Sequence, residues 1–426
     1  MEDMRMKTLM ARYSVLHMLV DGVCALAMFG RFLSWEDGHL YVLIYNFCAF
    51  ALQMPIGALL DLLCMRTQKA AGEPDAVAGS SENMTRVSLV VAVAGVLCTI
   101  TGAVTHPAVL GLGNALFHIG GGVGTIYEDK EKQWKGRGLG VFVAPGALGL
   151  YLGTLLAKNE AVTAWLWGAG ILMALLCAGM LYRQICDGRQ RFGIMRYGGR
   201  QERDFTGEGN VAGQDGKRIT NSVVQTEVGI GQELGIVGRQ PPVQGTVWLA
   251  VCCFVVVVLR SYIGIAVAFP WKTTLTAGLL SVVAIVGGKM AGGFCGARYG
   301  YLRTAVISLL AAAVCYLFST VLPMGIAALF LFNMTMPITL YLLICGFPQM
   351  PGFAFGCLTF ALFLGFLPEY FALPPLMSGA AFGGIALENT VMPSLGSVLS
   401  LLLIFAAMDG VRRFSAEGRG RGRISD

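Results

Sequence analysis

His17 and Asp21 sit four residues apart inside one apolar run, and Asn114 and His118 repeat that spacing in another. Four residues is just over one helical turn, so each pair shares a helix face. A carboxylate beside an imidazole can take up and release a proton near neutral pH, because imidazole titrates in that range. At mid-membrane Asp21 costs about 2.5 to 3.5 kcal/mol on insertion scales, so it should face protein or water. The plainer alternative is a buried carboxylate, capped by His17, that serves packing alone. Arg260 lies in a third apolar run, where its permanent charge needs an anionic partner, backbone carbonyls or a water-filled cavity. Lys289 in a fourth run is a substrate contact, a partner for an acid or a snorkelling side chain. Asn333 lies in a fifth. This is the chemistry of holding protons and an organic anion. For bond cleavage the expected clusters cannot be picked out: His17 and His118 lack H-E-x-x-H or acid-pair spacing. No enzyme activity, cofactor or metal is expected.

The elements that must position these residues are membrane helices. Apolar residues make up 55% of the 426-residue chain, charged ones 13%, and mean hydropathy is +0.66, values that exclude a soluble domain of this length. Twelve runs long enough to cross a bilayer fall near 10–30, 40–62, 87–105, 107–127, 138–156, 162–182, 246–268, 275–297, 302–322, 325–346, 352–370 and 393–410, numbered here as spans 1 to 12. With the N-terminus cytoplasmic, 26 of the 31 basic residues lie in inside segments and three outside, Arg31, Lys158 and Lys272. That bias fixes both termini in the cytoplasm. The net charge of +6 belongs to this asymmetry and not to nucleic-acid binding. The twelve cysteines show no metal spacing and read as small apolar filler. The first span lacks a small-residue cleavage site and should be retained.

The span 4 to span 5 region, with its Gly120-Gly121-Gly122 run, charged turn and Ala144-Pro145-Gly146, has a counterpart in span 10, the Pro348–Gly352 turn and span 11. Duplicated units packed about a pseudo-two-fold axis place a cavity between them. The expected organisation is a six-helix bundle over 1–185, a flexible cytoplasmic linker over 186–245, a second bundle over 246–411 and a basic cytoplasmic tail over 412–426. The turn Glu128–Arg137 reads as a soluble connection. The stretch Phe371–Glu388 is apolar enough to suggest a thirteenth crossing. Parity argues instead for a partly helical outside connection or re-entrant segment, since another crossing would export the basic tail.

Several motifs resemble the major facilitator superfamily. Its loop signature between spans 2 and 3, G-x-x-x-D-R-x-G, keeps Gly57 and Asp61 here, with Leu62 and Cys64 at the Arg and Gly positions. The counterpart between spans 8 and 9 keeps Gly293, Arg298 and Gly300, with Ala297 for the acid. The resemblance implies that Asp61 helps lock the inward gate against the opposite half. Gly140, Pro145 and Gly149 of span 5 match the G-x-x-x-G-P-x-x-G-G signature of proton-driven antiporters, with Ala144 and Leu148 replacing two glycines. Arg260-Ser-Tyr-Ile-Gly264, the glycine-rich stretch around Lys289 and the end of span 11 are similar to the fosmidomycin-resistance-like branch. In that fold spans 1, 4, 7 and 10 line the cavity, and these spans carry His17, Asp21, Asn114, His118, Arg260 and Asn333. The resulting expectation is an all-α polytopic protein of the cell membrane (plasma or inner). As a monomer it would move a small organic compound, an organic anion among the candidates, by alternating access, with proton-coupled efflux as the leading reading. Proton symport or facilitative uptake, and a non-transporting receptor or sensor on the same fold, are the alternatives.

Overall fold

Why these runs become helices follows from the solvent they imply. In lipid every backbone N–H and C=O must be satisfied within its own segment, which a helix does. The computed structural model describes residues 2–70, 77–158, 161–201 and 243–422. Span 1 is the helix Glu2–Gly30, span 3 Val77–Val104, span 4 Pro107–Glu131, span 6 Val162–Gln201 and span 7 Val243–Ala266. Span 8 is Leu275–Tyr299, span 9 Tyr301–Leu317, span 11 Pro351–Tyr370 and span 12 Leu387–Gly422. Three spans are interrupted: span 2 (Gly38–Asn46 and Gln53–Ala70) by a π-turn at Phe47–Ala51, span 5 (Arg137–Val143 and Pro145–Leu156) at Pro145, and span 10 (Leu322–Asn333 and Thr335–Gly346) at Met334. Among the described residues, eleven helices are long and apolar enough to cross a membrane. Span 9 is a twelfth, apolar but shorter. The chain is thus an all-α polytopic membrane protein. Local chemistry sets several helix starts: Pro107, Pro145 and Pro351 occupy first turns, where a missing N–H costs nothing, and Thr274 Oγ1 caps span 8 at Ala277 N.

Two seams of close contact run between span 2 and span 11 and between span 5 and span 8. Both seams are made by missing side chains. A Cβ on Gly57 would collide with the Gly352 carbonyl, and one on Gly356 with the backbone of Gln53 and Met54. Gly140 and Gly293 face each other in the same way, a Cβ on Gly293 meeting Gly140 Cα at 3.2 Å. Close backbone approach of this kind is how membrane helices associate without a hydrophobic driving force. The three glycines of span 4 leave that helix unbroken and face three different neighbours: span 3 at Ala92, the rings of Phe142 and Tyr13, and the ring of Phe355 in span 11.

In three places the chain departs from the sequence expectations. Glu128 and Asp129 belong to span 4 and are buried, so the charged turn is not simply solvated. Asp129 accepts the N–H groups of Gly136 and Gly138 at 2.5 and 2.7 Å and pins a tight turn in which Gln133, Lys135 and Gly136 all have positive φ. Residues 371–386 are not helical. They are largely exposed and contain a two-residue hairpin pairing Ala381–Phe382 with Ile385–Ala386 through Gly383-Gly384. Polar bonds tie the neighbouring stretches together: Leu376 N donates to Tyr262 Oη, and Ala268 N to Asn389 Oδ1. Span 6 remains helical to Gln201, past the expected start of the linker. The remainder of that linker, 202–242, and residues 423–426 of the tail lie outside the described residues.

Candidate functional site

The break in span 5 builds the site. Proline has no N–H to give to the carbonyl four residues back, and its ring opens the helix there. The carbonyls of Val141, Phe142 and Val143 are instead met by side chains of other spans. Ser14 Oγ donates to Val141 O at 3.3 Å, His17 Nδ1 to Phe142 O at 2.6 Å, and Lys289 Nζ, from the other half, to Val143 O at 3.3 Å. Pro145 therefore orients one imidazole of span 1 and one ammonium of span 8.

A carbonyl oxygen only accepts, so the bond to Phe142 puts the His17 ring proton on Nδ1. His118 is fixed likewise: its Nδ1 donates to Asn114 O at 2.9 Å, one turn back on its own helix. Both Nε2 atoms thus point their lone pairs at the same place, 2.9 Å apart. Asp21 completes the triangle, with Oδ2 3.2 Å from His17 Nε2 and Oδ1 3.7 Å from His118 Nε2. Asn114 Nδ2 holds Asp21 Oδ1 at 3.0 Å and also reaches Cys24 Sγ at 3.6 Å. His17, Asn114 and His118 are buried, while the Asp21 side chain is 21% exposed. Three acceptors converge on one point with no donor among them. Such a point calls for a cation.

The wall opposite is Gly146. A Cβ there would collide with Asp21 Oδ2 and with His17 Nε2, so only glycine lets span 5 pack this closely on the converging atoms. Gly149, one turn on, lets span 1 approach, its missing Cβ lying where the Met18 carbonyl sits. Ser14 and Gly146 carry no charge and were not singled out by type. Their signal in the sequence was the Ala144-Pro145-Gly146 run and the helical spacing of Ser14 from His17.

The other sequence candidates are placed as follows. Lys289 lies near enough to both Arg260 and Asp21 for their charges to act on it. Arg260 makes no ion pair among the described residues, and its Nε is buried without a hydrogen-bond partner. Asn333 is not drawn into the triangle: its Nδ2 donates to Leu329 O of its own helix at 2.8 Å, beside the break in span 10. Asp61 is buried, and its two oxygens accept the N–H groups of Gly352 and Phe353 at 3.0 and 2.7 Å. It thereby caps the first turn of span 11 across the seam between halves. Arg298 is exposed and rests 5.6 Å from the Tyr299 ring centroid. Gly300, at φ +96°, makes the corner between spans 8 and 9, a conformation that L side chains rarely adopt.

No family model matches the chain, and no curated protein matches it. Among solved structures it is similar to the E. coli fucose:proton symporter FucP, with 12% identity, 94% of this chain and 98% of that one covered, and a TM-score of 0.49. It is also similar to the human organic anion transporter MFSD10, with 14% identity, 93% and 99% covered, and a TM-score of 0.49. A bacterial homologue of the iron transporter ferroportin, in an outward-facing state, has 12% identity, 96% and 99% coverage and a TM-score of 0.46.

Proposed function

We propose that this chain is a secondary active transporter of the major facilitator type that exports a small organic anion in exchange for protons, by rocking of its two halves. It acts as a monomer in the plasma or inner membrane, with both termini in the cytoplasm, and carries out no catalysis. The observation that carries this reading is the triangle of His17 Nε2, His118 Nε2 and Asp21. Two imidazole lone pairs 2.9 Å apart repel each other unless a proton lies between them, and the carboxylate beside them stabilises the imidazolium that results. The coupling proton is held there. Lys289 and Arg260, from the other half, supply positive charge for the anionic group of the substrate.

Coupling follows from the same contacts. Lys289 reaches into the break of span 5, whose neighbouring carbonyl orients His17. A substrate anion that draws the ammonium away from Val143 O disturbs the strand of contacts holding the proton. Asp61 on the first turn of span 11 closes the basic side while the proton is exchanged on the other. Binding to one arrangement more tightly than to the other is all that such a cycle requires.

The test is transport in proteoliposomes carrying an imposed pH gradient, with a panel of small organic acids as cargo. Gradient-driven movement should be present in the wild type, absent in Asp21→Asn, and replaced there by passive exchange. Movement that survives both Asp21→Asn and removal of the gradient eliminates Asp21 as the coupling acid. Accumulation on the acidic side of the membrane means exchange for protons; accumulation on the alkaline side means symport through the same site.

A further inference from the structure

We infer that His17 Nε2, His118 Nε2 and Asp21 are the three ligands of a binding site for a divalent transition-metal ion of the Zn2+ or Co2+ class. The inference deepens the proposed function and rests on it in one respect: the ion takes the position assigned there to the proton. Sequence spacing gave no hint of it, since the two histidines are 101 positions apart.

Three features of the geometry carry it. The first is ligand separation. With metal–ligand bonds of about 2.0 to 2.2 Å, two ligands lie about 2.9 to 3.1 Å apart at a right angle and about 3.3 to 3.6 Å apart at the tetrahedral angle. The two Nε2 atoms are 2.9 Å apart, and each has its own carboxylate oxygen, Oδ2 at 3.2 Å from His17 and Oδ1 at 3.7 Å from His118, separations close to those values; one ligand atom from each residue lies within 4.8 Å of the other two. The second is the outer shell. Metal-bound imidazoles as a rule give their other ring N–H to a carbonyl or carboxylate, which fixes the tautomer and directs the free lone pair. Both rings do so here, to Phe142 O and Asn114 O, and the carboxylate is steadied by Asn114 Nδ2. The third is ligand count. Among the described residues only His17, Asp21 and His118 converge, the Asp21 side chain is 21% exposed, and three protein ligands with a position left for a non-protein ligand make a reactive or exchangeable metal site rather than a closed structural one.

Two imidazole nitrogens to one carboxylate favour Zn2+, Co2+ or Fe2+ over Mg2+ and Ca2+, which prefer oxygen. Cys24 lies nearby, with its sulfur bonded by Asn114 Nδ2, and is not a ligand. The Lys289 ammonium is turned to Val143 O.

The experiment is a Co2+ titration of the purified, metal-stripped full chain in detergent, followed by visible d–d absorption. One Co2+ per chain should bind and be displaced by Zn2+. Binding should weaken at least about 100-fold in His118→Gln and in Asp21→Asn, beyond the 10- to 100-fold typical of outer-shell changes. Gly146→Ala, which keeps every ligand but drives a methyl against Asp21 and His17, should weaken it as well. Zn2+-edge X-ray absorption on the wild type, which needs no variant, should show two imidazoles and no sulfur. A monodisperse wild-type protein that takes up no stoichiometric Co2+, binding that persists at full strength in His118→Gln and Asp21→Asn, or a sulfur shell around Zn2+ would each overturn the inference. Co2+ binding without gradient-driven transport leaves the metal site standing and removes the proton-coupled reading; transport without Co2+ binding does the reverse.

Discussion

Replacing Asp61 with Asn should open the seam between spans 2 and 11. Asp61 receives two backbone N–H groups from the first turn of span 11, at 3.0 and 2.7 Å, and is 1% exposed. A hydrogen bond to a charged group contributes about 1.5 to 3 kcal/mol. Asn keeps the shape and one acceptor, but its amide group faces the second N–H with another donor, so roughly one such bond is lost. The loss falls only on the arrangement in which the two spans touch. It therefore shifts the equilibrium between closed and separated ends by about 10- to 150-fold. Pulsed electron spin resonance between labels at Leu63 and Gln349, both exposed, reads this as a distance distribution. With twelve native cysteines in the chain, the labels are best carried by unnatural amino acids. One short distance should dominate in the wild type, and a longer one should grow in Asp61→Asn. An unchanged distribution in a folded Asp61→Asn protein would refute the latch.

Three further outcomes follow from contacts already described. Gly149→Ala drives a Cβ into the Met18 carbonyl, and backbone gives way less readily than a side chain, so thermal unfolding should show a loss of roughly 1 to 3 kcal/mol; Leu150→Ala, at a site 53% exposed, should show little. Asp129→Asn removes one of two charged acceptor bonds to Gly136 and Gly138. Trypsin should then cut the turn between spans 4 and 5 faster than in the wild type at exposed Lys135 and Arg137, with the rate of cleavage elsewhere unchanged. Gly300→Ala places a side chain at φ +96°, which costs about 1 to 2 kcal/mol; the thermal midpoint should fall, and an unchanged midpoint would mean the corner can relax.

The helices were legible because lipid leaves the backbone one solution, and a run of apolar residues names its own ends. Each i, i+4 pair was legible for the same geometric reason: spacing says which residues share a face. What spacing cannot say is which face of the neighbouring helix lies opposite. His17 with Asp21, and Asn114 with His118, were readable as pairs, whereas the meeting of the two Nε2 atoms needed the packing of span 1 on span 4. Pro145 announced a kink, but not that the carbonyls beside it would orient His17 and receive Lys289. Asn333 looked like a cavity residue because it is polar in an apolar run; a helix can satisfy such a side chain on its own carbonyl, and Leu329 O does so. Glu128 and Asp129 looked solvated because charge in a turn is usually exposed, and the burial of Asp129 depends on two glycine N–H groups seven and nine residues on.

Proton coupling and metal binding both depend on two imidazole lone pairs turned toward each other beside Asp21. Nitrogen-15 resonance of the four histidines in the metal-free protein tests this directly, with signals assigned by their loss in His17→Gln and His118→Gln. Both rings should carry their fixed proton on Nδ1, with the two Nε2 sites sharing any further proton between them. A ring found with its single proton on Nε2, and Nδ1 bare, would contradict the arrangement.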